Sequence, residues 1–165
     1  MFNAQSVVAA TAAILFSTTT FADFSINNGL PLDAVPSITI PELDWAAVFA
    51  EDAQRSRKDE APRFAIPHDV RITPATDGIW ERLDRNTMRW SLRIGSANAI
   101  SLNLGFEHWE LPRSAEMTMA TVDGDFALRT FTAEDNKPHG ELWTPVLPSD
   151  ELVLEIIVSN REQLA

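Results

Sequence analysis

The chain has 165 residues, a formal net charge of −11 and no cysteine. Its length suits a single domain with a sizeable core. The lack of cysteine excludes disulfides, thiolate metal sites and a cysteine nucleophile, and the acidic balance argues against a nucleic-acid partner because phosphates require a basic surface.

The N-terminal segment, residues 1–22, contains no charged side chain, and residues 7–16 form an apolar stretch. This stretch is about half as long as the roughly 20 residues that span a bilayer, and the small residues Thr20 and Ala22 suit cleavage before Asp23. We therefore predict a signal peptide over residues 1–22, no transmembrane segment, and an exported protein that is secreted or periplasmic. The alternative is a buried N-terminal helix, which the threonines at 18–20 would continue poorly.

Residues 23–64 are predicted to comprise an extended leader and a short helix. Three prolines and an Asn-Asn-Gly run at or before Pro41 favour a leader that packs loosely or not at all. Over residues 43–57 apolar residues recur at helical spacing, and Pro41 with the acidic residues beside it gives a helix-start signal. The helix is expected to end within residues 56–60, because Pro62 disfavours helical geometry in the residue before it.

After Phe64 the apolar spacing changes from about 3.6 to 2, which predicts β-strands. The alternation is clearest over residues 87–94 and 99–106. Asp123 and Gly124, between two alternating runs, predict a tight hairpin. Further strands are predicted at residues 68–73, 79–83, 107–111, 116–122, 126–131, 142–146 and 151–159. Short strands joined by turns indicate an all-β fold, a β-sandwich or jelly-roll-like domain over residues 65–160 with a tail at 161–165.

The residues that usually carry chemistry form no recognisable site in the sequence. A Ser-His-Asp enzyme typically presents a Gly-flanked serine at a sharp turn, whereas Ser96, which follows Gly95, falls in a predicted turn between two strands. His68, His108 and His139 are scattered one to a segment and are expected at the surface. We predict no catalytic residue, no cofactor and no metal site, and an enzyme in its own right is the weakest hypothesis.

The five tryptophans offer a choice between core packing and partner contact. Trp90 is in register with Met88 and Leu92 and is predicted to lie in the core. Trp109 and Trp143 suit either the core or an exposed surface that stacks on a sugar or on a polypeptide. Together with His139, these two tryptophans are the candidate partner-contact residues.

Several stretches of the sequence resemble one protein family. They are Arg63-Phe64-Ala65-Ile66-Pro67, Ile72-Thr73-Pro74 with Gly78-Ile79-Trp80, Trp90-Ser91-Leu92-Arg93-Ile94, Ala99-Ile100-Ser101-Leu102-Asn103-Leu104-Gly105-Phe106, Leu111-Pro112, Asn136-Lys137-Pro138-His139-Gly140-Glu141-Leu142-Trp143-Thr144-Pro145, and Asp150-Glu151. Together they resemble the region between the signal peptide and the catalytic domain of bacterial secreted trypsin-like serine proteases of the lysyl endopeptidase group. The resemblance covers residues 41–158, and residues 140–145 are its most specific part.

The resemblance implies a pro-region that aids the folding of a serine protease domain or masks its active site. In that family a catalytic domain that bears the triad follows this region, whereas the present chain ends at Ala165, so no residue here inherits a catalytic role. A truncated gene product, a fragment and a stand-alone relative are all compatible with this pattern. The alternative is an exported β-sandwich that binds a glycan or a protein.

Overall fold

The computed structural model describes residues 30–57, 61, 63–160 and 162. The predicted signal peptide therefore lies outside the described residues. The described chain is predominantly β, as predicted, with a single α-helix. Its elements are β1 (Ser37–Ile40), α1 (Trp45–Arg57), β2 (Ile79–Arg82), β3 (Thr87–Ser96), β4 (Gly105–Phe106), β5 (Glu116–Thr121), β6 (Phe131–Thr132), β7 (Leu142–Trp143) and β8 (Glu151–Ser159), with 3-10 helices at Leu32–Ala34 and Ala133–Asp135. Neither α1 nor the 3-10 helices have the length and apolarity to cross a membrane.

The main sheet has six strands in the order β1-β3-β8-β5-β6, with β2 beside β3 as well. β1 runs parallel to β3, and the other pairings in this sheet are antiparallel. The longest pairing joins β3 to β8, from Thr87 opposite Ser159 to Gly95 opposite Glu151. A second, two-stranded sheet pairs β4 with β7. The C-terminal strand β8 therefore lies between β3 and β5 in the main sheet.

Alternation along the two longest strands builds the core. Trp90 and Leu92 of β3 lie opposite Ile156 and Leu154 of β8, and all four side chains are buried. Because successive side chains point to opposite faces of a strand, this register assigns one face of the sheet to the core. The predicted core position of Trp90 is confirmed, and its indole Nε1 donates to the carbonyl of Asp77 at 2.7 Å.

The leader is attached to the sheet more firmly than the sequence predicted. β1 pairs with the half of β3 from Arg93 to Ser96, and Val35 and Ile40 are buried. The expectation that this segment packs loosely was wrong. β2 pairs with the other half of the same edge of β3, up to Ser91. The leader therefore supplies hydrogen-bond partners for backbone groups of β3 that β2 does not reach.

The helix was predicted correctly, although it begins two residues late. α1 starts at Trp45, where the Asp44 carboxylate accepts a hydrogen bond from the amide of Ala47 at 3.1 Å, as an N-cap residue does. It is described as far as Arg57, and residues 58–60, where the sequence allowed it to end, lie outside the described residues.

Several weaker strand predictions were wrong in length or in kind. Residues 68–73 and 107–111 form no strand, and the predicted strands at 126–131 and 142–146 are reduced to two residues each. Residues 99–106 pair only at Leu102 and over β4, so Ile100, predicted to share a face with Leu102, is 85% exposed. Positive φ values at Asn98 and His108 turn the chain away from extended geometry at both ends of this stretch. The hairpin at Gly124 is confirmed, with its amide donating to the carbonyl of Thr121.

The second face of the main sheet carries a charged network. Arg89, which is 5% exposed, lies 2.7 Å from the Glu81 carboxylate and 3.7 Å from that of Glu155. The Ser91 hydroxyl also donates to Glu155, at 3.4 Å. Burial raises the pKa of the Glu155 carboxyl, and this effect outweighs the opposing influence of Arg89 and Ser91. The ionised form of Glu155 is therefore less favourable in the folded protein than in the unfolded chain.

Replacing Glu155 by glutamine is expected to raise the free energy of unfolding at pH 7. A carboxyl with a raised folded-state pKa contributes stability below its unfolded pKa of about 4.3, and that contribution is lost as the pH rises through the folded pKa. Glutamine stays neutral and still accepts hydrogen bonds, while Arg89 keeps Glu81. Urea unfolding should show a gain at pH 7 that disappears below about pH 4.

The matched control is Glu116→Gln, an exposed carboxyl on β5. No gain is expected there. A loss of stability in Glu155→Gln at pH 7 would show that the attraction to Arg89 outweighs burial, contrary to this account.

Candidate binding surface

The β4–β7 pair is one end of a longer two-stranded ribbon, which we define as residues 102–106 and 142–147. Leu102 and Leu147 exchange two backbone hydrogen bonds, of 2.9 and 2.7 Å. Between this pair and β4, the amide of Thr144 donates to the Leu104 carbonyl and the Thr144 hydroxyl accepts from the Leu104 amide, both at 2.9 Å. Leu102, Leu104 and Phe106 pack against the core, so the alternate residues of the ribbon face outward.

Trp143 lies on the outward face of this ribbon, opposite Gly105. A Cβ atom placed on Gly105 would approach two ring carbons of Trp143 to 2.8 Å, so the indole lies directly over the glycine backbone. Most of the ring nevertheless faces solvent, since Trp143 is 69% exposed. Gly105 lies in a strand pair and leaves room for an aromatic ring.

Two further large apolar side chains are exposed on or next to the ribbon. Ile100 precedes its first strand, and Val146, which is 55% exposed, belongs to its second. We call Ile100, Trp143 and Val146 the ribbon face. Clustered exposed apolar residues are typical of surfaces that bind a partner, whereas isolated ones are common on any protein.

Two loops beside the ribbon are joined by hydrogen bonds. The amide of Trp109 donates to the carbonyl of Gly140 at 2.6 Å. The Asn136 side chain accepts from the amide of Leu111 and donates to its carbonyl, both at 2.9 Å. Gly140 has a φ of 67°, a left-handed conformation that glycine adopts without strain. Together residues 108–110 and 136–140 enclose an open pocket of ≈ 610 Å³.

The structure separates the three predicted contact residues. Trp109 is 7% exposed, with its ring centroid 5.1 Å from that of Phe106 and 6.4 Å from that of Phe131, so its indole belongs to the core. Trp143 lies at the surface. His139 is exposed and lines the pocket. The sequence did not distinguish the buried tryptophan from the exposed one.

Of the residues considered for chemistry, His108 and His139 line one pocket, whereas His68 and Ser96 do not line it. His68, His108 and His139 are all exposed, as predicted. Ser96 is buried at the end of β3, where its amide donates to the Asp150 carbonyl at 2.8 Å. Among the described residues, no group of three histidine, aspartate or glutamate side chains is placed to hold a metal ion.

No family model matches the chain, and no solved structure matches it.

Proposed function

We propose that this protein is an exported, prodomain-like module that binds a trypsin-like serine protease domain and either assists its folding or masks its active site. In this proposal residues 1–22 direct secretion or export to the periplasm, and the main sheet and the ribbon form a β-sandwich or jelly-roll-like domain. The observation that carries the proposal is Trp143, a large exposed side chain held over Gly105. The resemblance to the pro-regions of lysyl endopeptidase-like enzymes supplies the class of partner.

Residues 136–145, one of the stretches that carry that resemblance, divide into residues that hold the fold and residues that face outward. Asn136 and Thr144 bond to the backbone of Leu111 and Leu104, which explains their presence by folding alone. The His139 ring accepts from the Glu141 amide and the Trp143 ring lies over Gly105, yet both side chains remain exposed. A role in contact with another molecule accounts for this outward half of the segment.

The chemistry of the ribbon face favours a protein partner. Tryptophan is enriched among the residues that dominate binding energy, and such residues are effective when flanking contacts exclude water. Ile100 and Val146 are the other large exposed apolar side chains on or next to the ribbon. Because Gly105 supports the ring from below, Trp143 is ordered before binding, and less entropy is lost on association.

Replacing Trp143 by alanine is expected to weaken binding to a protease domain of the lysyl endopeptidase group by about 30-fold or more, since a central tryptophan contributes about 2 kcal/mol or more. The stability of the module should change little because the side chain is exposed. Surface plasmon resonance with the purified protein and the active-site-blocked protease measures the affinity, and urea unfolding measures the stability.

Phe64→Ala is the matched control, because Phe64 is 99% exposed but lies outside the ribbon. It should bind as tightly as the wild type. The proposal fails if the wild-type protein neither binds the protease domain nor improves its refolding yield. A glycan array that shows binding dependent on Trp143, without any protease binding, would establish the alternative of a glycan-binding module.

A further inference from the structure

Each strand of the ribbon continues into a glutamate close to Trp143. Glu107 directly follows β4 and Glu141 directly precedes β7, so these two residues come next after the last pair of the ladder. The two chains are still adjacent at this point, since the Trp109 amide donates to the Gly140 carbonyl at 2.6 Å. Both glutamates are exposed. Two acidic side chains therefore lie at the end of the ribbon that carries Trp143.

The two glutamates lie on the same side of the ribbon as the Trp143 ring. Phe106 and Leu142 pack against the core, and successive side chains of a strand point to opposite faces, so the residues on either side of each face outward. Glu141 is two positions from Trp143 on one strand, about 7 Å away, and Glu107 is its diagonal neighbour on the other, about 7–8 Å away. A group that sits on the ring is within reach of both carboxylates.

This end of the molecule carries an excess of negative charge. Residues 102–110 and 136–147 contain three glutamates and one lysine, a formal charge of −2 with the histidines neutral. Within the part of the chain that the structure describes, neither Glu107 nor Glu141 forms an ion pair. A cation is therefore attracted to this surface.

The basic side chains nearby have other contacts. The ammonium of Lys137 makes a hydrogen bond of 3.4 Å to the carbonyl of Glu134. The Nδ1 atom of His139 accepts from the Glu141 amide at 3.1 Å, as an unprotonated imidazole nitrogen does. Neither contact involves the side-chain carboxylate of Glu141.

The Trp143 ring adds a second attraction for a cation. One side of the ring covers Gly105, and the side chain is nevertheless 69% exposed, so a large part of its surface is open to a partner. The face of an indole carries negative partial charge and attracts an ammonium or a guanidinium within about 6 Å of the ring centroid. The apolar stem of a lysine or an arginine also packs against an aromatic surface.

We propose that Trp143, Glu107 and Glu141 together bind a basic side chain, lysine or arginine, of a protein partner. The ring contacts the cation and its stem, and the carboxylates form charge-assisted hydrogen bonds with its N–H groups. A neutral sugar could stack on the ring but would gain nothing from the negative charge. The inference rests on the proposed function, because it names what the ribbon recognises in the partner.

The first test uses the purified, ¹⁵N-labelled protein without any protease, in an NMR titration at pH 7 and constant ionic strength. The probes are acetyl-Ala-Lys-Ala-amide, its arginine and norleucine counterparts, and methyl glucoside. We expect the indole N–H resonance of Trp143, assigned by its loss in Trp143→Phe, to shift saturably with the lysine or the arginine peptide. The norleucine peptide and the glucoside should give no saturable shift. Equal binding of the norleucine peptide, or binding of the glucoside alone, overturns the proposal.

The second test removes the two charges. The double variant Glu107→Gln/Glu141→Gln should bind the basic peptide and the active-site-blocked protease domain about tenfold more weakly. Wild-type affinity should fall as sodium chloride rises from about 50 to about 500 mM, and the double variant should respond less. Asp69→Asn/Glu116→Gln removes two exposed carboxylates outside the ribbon and should bind like the wild type. Equal weakening in both double variants would show an effect of net charge alone and would overturn the site.

The two tests separate this inference from the proposed function. If the protease binds through Trp143, while the glutamine double variant binds normally and no basic peptide shifts the indole resonance, the inference is wrong and the proposed function stands. If a basic peptide binds at Trp143 and the protease does not bind, the site for a basic side chain stands and the proposed function fails.

Discussion

Replacing Gly78 by alanine is expected to lower the free energy of unfolding by about 3 kcal/mol or more. Gly78 has a φ of 72°, where a Cβ atom is strained. A Cβ atom there would also lie 2.6 Å from Nε1 of Trp90 and 2.7 Å from the carbonyl oxygen of Ser91. The second contact is with the backbone of a central strand, which cannot rotate away.

The expected damage extends into the core because of what Trp90 does. Its indole donates to the carbonyl of Asp77, the residue before Gly78, so a shift of this turn breaks a buried hydrogen bond and displaces one of the largest buried side chains. Urea unfolding followed by tryptophan fluorescence measures the loss.

Gly124→Ala separates the clash from the backbone strain. Gly124 has nearly the same φ, 77°, but an added Cβ atom would meet nothing within 4 Å. Its expected loss is only about 1–2 kcal/mol, the strain alone. Equal losses for the two variants would contradict the packing that we describe around Trp90.

Replacing Asn136 by alanine is expected to lower the free energy of unfolding by about 2–4 kcal/mol. The Asn136 side chain is the hydrogen-bond partner of both the amide and the carbonyl of Leu111, a residue that is almost fully buried. Alanine leaves both backbone groups without these partners. The loop at 136–140 should also lose its fixed position.

Asn103→Ala is the control for this variant, because Asn103 is an exposed asparagine on the ribbon. It should change the free energy of unfolding by less than about 0.5 kcal/mol. Urea unfolding of both variants tests the difference, and hydrogen exchange at the Leu111 amide tests its cause. If that amide stays as protected in Asn136→Ala as in the wild type, the side-chain bridge is not what holds it.

The strands that could be predicted from the sequence are those in which apolar and polar residues alternate within the strand itself. β8 has the predicted bounds, and β3 extends two residues beyond them, because each alternates over its whole length between the core and the second face. β4 and β7 are short, and their pairing joins segments almost 40 residues apart. β1 pairs with the part of the β3 edge that β2 leaves unpaired. These pairings join residues that are far apart in the chain, so no local sequence pattern indicates them.

The sequence did not show which of the candidate contact tryptophans is exposed. Trp109 and Trp143 lie in similar sequence surroundings, yet the positive φ of His108 turns the chain so that Trp109 enters the core. The space over Gly105 that receives the Trp143 ring belongs to the opposite strand. Neither fact follows from residue type or spacing.

The central position of β8 also determines when the sheet can form. A chain made from its N-terminus lacks the strand that joins β3 to β5 until residues 151–159 have been added. Until then β3 and β5 have no common neighbour, and most of the contacts that define the core are between segments distant in sequence. Closure of the main sheet therefore waits until residues 151–159 have been added, and it involves a slow search for non-local pairs.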